Sequence, residues 1–270
     1  MTTVAAHQTV ADLLLTQMLA VVQWLDPLTA AEFRSRDQYN TWSVRHLIGH
    51  LISAQEDLLT AVNRPSTSRP MSINHYLRRR WARNSHPMSR ALEICGSDSD
   101  RVLLEHLASG AGELRGALEQ LDAGVLDEHR DPVRVVDLLR VELAHWLGHG
   151  EDLRVILPHR GAVATSRPAL ADAIRLLTAI LAKEYPGRAI ELRVPPFAAV
   201  QLGVPQAPGS TERIGPTHTR GTPPNVVEMN SPTLLRLVSG GGDWADELSA
   251  GNISASGPHA DLRSVFPILR

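Results

Sequence analysis

Four histidines in this 270-residue chain form two pairs of identical spacing, His46 and His50 in WSVRHLIGHL (42–51), and His145 and His149 in VELAHWLGHGEDLR (141–154). Residues four apart on a helix share a face about one turn apart, so each pair can aim two ring nitrogens at one point. Paired imidazoles of this kind hold a divalent ion on metalloenzyme helices. The competing reading makes some of them hydrogen-bonded core or capping residues. Ser43 is a good N-cap with Trp42 before it to staple onto Leu47, which puts His46 in the first helical turn. His46 there reads as a solvent-facing or capping residue. His50 lies one turn deeper, among Leu47, Leu51 and Ala54, where a polar ring needs a partner. The metal set is then His50, His145 and His149. Three neutral imidazoles with a fourth position open describe a catalytic rather than a structural zinc site, and nickel or iron would accept the same donors.

Two acidic residues flank that set. Glu142, three before His145, is either a fourth ligand or an outer acceptor for a ring N–H. Asp152, three after His149, either accepts a ring N–H, caps the helix face, or lies on the surface. Glu142-x-x-His145 also matches half of a di-iron bundle motif, but no second copy lies on a suitable helix. The chain has no Walker loop, G-x-S-x-G, H-E-x-x-H or G-x-G-x-x-G. Cys95 is the single cysteine, so no intrachain disulfide forms, and its Glu93-Ile94-Cys95-Gly96 setting carries no nucleophile signature. Arg78, Arg79, Arg80 and Arg83 read either as an anion-binding lid or, more simply, as a solvated helix face.

These residues need a scaffold, and the apolar periodicity supplies one. Val10, Leu13, Leu14, Met18, Val21, Val22 and Leu25 recur at three and four and predict a helix over 5–25, stopped at Asp26-Pro27. A polar connection runs to Tyr39-Asn40-Thr41, and a second helix follows from Ser43 to about Val62. Residues 64–98 are less regular, punctuated by Pro65, Pro70 and Pro87. A third helix is expected from Asp98, as N-cap, through Leu121 to Gly124. A fourth, starting at Asp131-Pro132, carries His145 and His149. Four such helices predict an antiparallel four-helix bundle over 1–160. After a linker at 158–168, a helix at 169–184 is followed by strands at 189–194, 197–202, 226–229 and 252–257. A short helix at 232–238 and the turn Ser239-Gly240-Gly241-Gly242 complete a small α+β domain over 165–270.

Composition narrows the function. With 27 basic and 29 acidic residues the net charge is −2, which offers no face for nucleic acid and no polybasic anchor. Lys183 is the only lysine, a bias that fits a GC-rich genome. The N-terminus has no basic n-region or cleavage site, and no apolar run reaches the ~20 residues of a membrane span. The expectation is a soluble cytoplasmic protein.

Trp42-Ser43-Val44-Arg45 with His50-Leu51, and His149-Gly150-Glu151-Asp152-Leu153, resemble the W-[ST]-V-R-x-L-x-x-H-L and H-x-x-D-L segments of the DinB-like mycothiol-dependent maleylpyruvate isomerase family. The resemblance implies ligands at His50, His145 and His149, with histidine at 145 where that isomerase has glutamate; a three-histidine set is similar to other DinB-like metalloproteins. Val226-Val227-Glu228-Met229, Leu234 to Ser239, Trp244, and Gly251 to Gly257 with Ala260-Asp261-Leu262 resemble the sterol-carrier-like domain often fused to this bundle in actinobacteria. What this implies is a metal-dependent isomerase or transferase, with zinc (or nickel or iron) as the ion, mycothiol or a similar thiol as cosubstrate, and a small organic substrate. The isomerase also uses a second-domain arginine; Arg193, Arg220 and Arg236 are candidates with no assignable match. The alternative is a non-catalytic carrier of a hydrophobic small molecule or lipid, motivated by the apolar helix around Leu234 to Val238, with a structural or vestigial metal site.

Overall fold

The computed structural model describes residues 3–36, 42–83, 87–205 and 224–269. The chain divides into two compact units, Met1–Ala169 and Leu170–Arg270, the division falling in the first turn of a helix. The end of the predicted polar connection, Tyr39 to Thr41, lies outside the described residues.

The first unit is helical. Helices α1 (Thr3–Leu25), α2 (Ala30–Phe33), α3 (Val44–Val62), α4 (Ile73–Arg83), α5 (Pro87–Cys95) and α6 (Asp100–Glu119) precede a hairpin, β1 (Val125–Glu128) and β2 (Asp131–Arg134), and α7 (Val135–Ile156). Four long helices make the bundle: α1 packs on α6 and α7, and α3 packs on the same two. Its core takes Leu14, Met18 and Leu25 from α1, Leu47, Ile48 and Leu51 from α3, Leu103 and Leu107 from α6, and Leu143 and Trp146 from α7. Each such side chain contributes about 1.5–3 kcal/mol by leaving water. This is the periodicity the sequence shows.

The structure corrects three expectations. Residues 64–98 are more regular than expected: they hold α4 and α5, the latter opened by Pro87, whose missing N–H costs nothing in a first turn. The third helix is capped by Ser99 rather than Asp98, through a bond from the Val102 N–H at 3.3 Å, and it ends at Glu119. The ligand-bearing helix begins at Val135, not at Asp131-Pro132, because residues 125–134 fold as the β1–β2 hairpin, with Asp127 opposite Pro132. That hairpin escapes a sequence reading because of its two-residue tip. Asn-Gly is the usual pair in such a turn. Here the tip is His129-Arg130, at φ 53° and 70°. Positive φ is uncommon for any residue but glycine, His being less averse to it than Arg. The flanking carboxylates hold the tip in place: Asp131, fully buried, pairs with Arg79 and Arg83, and Glu128 pairs with Arg83 at 3.0 Å.

Close approach of α5 to α3 depends on Gly49, immediately before His50. A Cβ there would lie 2.6 Å from the Ala91 carbonyl oxygen and 2.8 Å from Cys95 Sγ. Cys95 is buried in that contact, and burial raises its thiol pKa, so it is packing rather than a nucleophile.

The second unit takes up α8 (Arg167–Glu184) and a four-stranded sheet of β3 (Ile190–Val194), β4 (Ala198–Leu202), β5 (Val226–Met229) and β6 (Ile253–Ser256). The strand order is β4-β3-β5-β6, with β3 parallel to β5 and the other pairings antiparallel. Along β3, Ile190, Leu192 and Val194 are buried while Glu191 and Arg193 are half-exposed, the alternation that marks one covered face. Helix α9 (Ser231–Ser239) starts at an Asn230 cap, which accepts the Thr233 N–H at 2.9 Å, and ends at left-handed Gly240. A further helix, α10 (Trp244–Ser249), not expected from its sequence, is capped by Asp243. No helix among the described residues is long and apolar enough to cross a membrane.

Candidate metal centre

Helices α3 and α7 bring His50, His145 and His149 together. His145 Nε2 lies 2.9 Å from His50 Nε2 and 3.0 Å from His149 Nε2. The rings stand nearly perpendicular to one another, at interplanar angles of 84°, 89° and 78°. All three residues are buried, between 5% and 8% exposed. Among the described residues they form the one group of three or more His, Cys, Asp or Glu side chains whose donor atoms converge in this way.

Hydrogen bonding among the rings alone cannot satisfy this cluster. His149 Nδ1 lies 2.9 Å from Asp152 Oδ2, and the carboxylate can only accept, so the ring proton sits on Nδ1 and Nε2 is a bare lone pair. His145 Nε2 faces both neighbours, and its single proton can serve only one of them. A cation at the point of convergence satisfies all three. Metal–nitrogen bonds of about 2.0–2.1 Å at tetrahedral angles hold nitrogens about 3.4 Å apart, within about half an ångström of the spacing here. The donor set therefore fits a borderline divalent ion.

Electrostatics favour the neutral, ligating form. Burial pushes the pKa of His50 well below its ordinary value, helped by His145, His149, Arg80 and Arg90. Burial does the same to His145, with His149 and Arg80 adding to it. The edge of the Trp42 ring stands against His50, with centroids 5.1 Å apart.

The remaining sequence candidates fall outside the cluster. His46 closes a capping box. Its Nδ1 accepts the Ser43 N–H while Ser43 Oγ accepts the His46 N–H, both at 3.3 Å. Glu142 gives Oε1 to Arg80 Nη1, and its Oε2 lies 3.7 Å from His145 Nδ1, behind the ring, so it is no fourth ligand. Asp152 is buried against His149, not on the surface. The basic patch lies on α4, with Arg78, Arg79 and Arg83 exposed as a solvated helix face would have them and Arg80 turned inward; Arg79, Arg80 and Arg83 pair with Asp131, Glu142 and Glu128. Burial opposes the charge of Arg80, and Glu142, Tyr76 and Glu128 outweigh it, so its pKa is raised. Arg80 is the residue that sequence reasoning missed. Nothing in an RRR run says which member turns inward; only the position of Glu142 across the helix pair does. Of the second-unit arginines, Arg193 pairs with Glu191 and Arg236 with Glu247, and Arg220 lies outside the described residues.

Comparison with known proteins agrees with this architecture. Residues 14–154 match a family model, the mycothiol maleylpyruvate isomerase N-terminal domain, and residues 166–268 match another, the bacterial SCP ortholog. Two solved structures are similar in fold. A mycothiol-dependent maleylpyruvate isomerase is 14% identical with a TM-score of 0.54, and a histidine-to-alanine mutant under the same description is 16% identical with a TM-score of 0.51. Each comparison covers 96% of this chain and 94% of the other. No curated protein matches the chain.

Proposed function

Because the chain belongs to the mycothiol maleylpyruvate isomerase N-terminal domain family, over more than half its length, we propose that it is a metal- and thiol-dependent isomerase or transferase acting on a small organic substrate. Mycothiol or a similar low-molecular-weight thiol is the cosubstrate. The observation that carries this reading is the unsatisfied convergence of three Nε2 atoms, 2.9 and 3.0 Å apart, with one ring locked by Asp152.

A divalent ion held by His50, His145 and His149, zinc in the first instance, would supply Lewis acidity, enough to make a bound thiol react as thiolate at neutral pH. The chain's own residues prepare for that. Burial keeps His50 and His145 unprotonated, so their lone pairs are free at neutral pH. Asp152 holds the His149 ring proton on Nδ1, away from the cluster. Three imidazoles bring no negative charge, so an anionic sulfur is the partner they leave room for. The His→Glu change at position 145 would add one negative charge and weaken that preference.

Cobalt substitution tests the reading. A small thiol added to the cobalt form of the wild type should give a near-ultraviolet sulfur-to-metal charge-transfer band, with release of a proton. His145→Glu should still bind cobalt but need higher pH for the same band. A wild type that holds cobalt and shows no band refutes the thiol mechanism. The match of residues 166–268 to the bacterial SCP ortholog favours a second reading, a carrier of hydrophobic small molecules. That reading wins if the chain binds a fluorescent fatty acid equally well before and after chelation and shows no thiol band.

A further inference from the structure

Four polar residues of α7 follow one another at intervals of three, four and three: Glu142, His145, His149 and Asp152. All four are buried, and the spacing keeps them on one face of the helix. The two outer carboxylates flank the two histidines, but they are not used alike. Asp152 already holds its ring, at 2.9 Å from His149 Nδ1. Glu142 does not. Its Oε2 stands 3.7 Å from His145 Nδ1, and both atoms are buried without a hydrogen-bond partner. That separation is beyond hydrogen-bond reach. Its other oxygen is taken by Arg80 of α4.

We propose that Glu142 is the positioning residue for His145, completing a second carboxylate–imidazole pair, and that Arg80 anchors it there, so that the docking of α4 helps set the affinity of the three-histidine site. The inference rests on the metal reading above. With Nε2 committed to a cation, the His145 proton must sit on Nδ1, where Glu142 Oε2 stands 3.7 Å away with no other partner. Closing that gap to a bond takes a shift of under an ångström. Arg80 fixes which oxygen faces the ring: Oε1 is bound to the guanidinium, which is itself 14% exposed and 3.4 Å from the Tyr76 hydroxyl, so Oε2 is the one left for His145. Arg79 and Arg83 on the same helix clamp Asp131, and Arg80 reaches α7.

The test is zinc affinity by competition with a chelator, on the full chain, for wild type, Glu142→Ala, Glu142→Gln, Arg80→Met and the double variant Glu142→Ala/Arg80→Met. Outer carboxylates of ligating histidines are worth about 10–100-fold in metal affinity. Glu142→Ala should lose that much, and Glu142→Gln less, because its amide oxygen still accepts a ring N–H. Arg80→Met should lower affinity about tenfold when Glu142 is present and have no further effect in Glu142→Ala. In the cobalt form, the exchangeable ring N–H proton of His145 should be observed in wild type and lost to exchange in Glu142→Ala, a readout that loss of general stability does not produce. If wild type binds zinc and Glu142→Ala binds it within twofold, the role of Glu142 is refuted while the metal site stands. If Arg80→Met weakens binding equally with and without Glu142, the anchor is refuted. A wild type that takes up no zinc refutes the metal reading itself.

Discussion

In the second unit, Arg236 donates to Glu247 Oε1 through Nη1 and to the Gly241 carbonyl through Nη2, both at 2.5 Å, and Glu247 Oε2 accepts from Asn252 at 2.7 Å. In the first unit, three buried imidazoles face one point, and Glu142 Oε2 and His145 Nδ1 stand unpartnered behind them. Both are buried polar clusters on helices. In one, both oxygens of Glu247 are taken, and the bonds fasten the glycine turn after α9 to α10. The other is left open: among the described residues, no further His, Cys, Asp or Glu donor joins the three rings at their point of convergence. Closure of buried charge marks structure, and convergence of unsatisfied donors marks a ligand site.

The largest effect expected from breaking this contrast is at the open cluster. His149→Ala should lower zinc affinity by about three orders of magnitude, roughly 4 kcal/mol, since a structural-strength site draws about 10–16 kcal/mol from its whole ligand set. Its metal-free stability should fall by about 1–3 kcal/mol, because the buried Asp152 loses the ring N–H it accepts. Equilibrium dialysis and urea unfolding of the apo form check the two halves. Metal content that survives loss of His149 removes it from the site.

Glu247→Ala should act on stability alone. It leaves Arg236, whose side chain is only 13% exposed, buried without its carboxylate. Stranding a buried charge in this way costs about 3 kcal/mol of stability. Zinc stoichiometry should be unchanged. A loss of metal in that variant would show that the two clusters are not independent.

Acid should separate them next. His50 and His145 carry pKa values well below the ordinary 6.5, so as pH falls below that value the unfolded chain takes up protons that the folded apo protein refuses. Stability then falls with pH, by up to about 1.4 kcal/mol per pH unit for each ring. Above that pH both states are neutral and the effect vanishes. Urea unfolding of apo protein between about pH 7.5 and about pH 5 reads it. Substituting His50 by Gln should make the slope shallower, and an unchanged slope would show that this ring does not titrate on unfolding.

The smallest change is His46→Ala. It removes one arm of the α3 capping box. The loss should cost about 0.5–1 kcal/mol. Zinc affinity should stay within twofold of wild type. A large drop would place His46 in the site after all.

Much of this protein was legible in its sequence because helical periodicity is a local property. Apolar residues at three and four located the bundle helices α1, α3 and α6 and the body of α7, and alternation located β3. The spacing of His145 and His149 put two donors on one face before any fold was known, and Ser43 identified His46 as a cap. The hairpin at 125–134 was not legible, since its tip breaks the usual turn chemistry and is held by ion pairs to residues about 45–52 positions away. α5 was hidden by Pro87, which opens a helix where a proline reads as a break.

What the chain determines alone, then, is which residues share a helix face: 142, 145, 149 and 152 on one, 46 and 50 on another. Which of these faces meet is a tertiary matter. His50 and His145 are 95 positions apart, and their 2.9 Å contact exists because α3 and α7 pack with these turns level. Whether a carboxylate three residues from a histidine ligates, positions or merely pairs was decided in the same way. Glu142 is held off the cluster by Arg80 of α4, whereas Asp152 turns onto His149. Spacing fixes direction on one helix, and only packing supplies the partner at the other end.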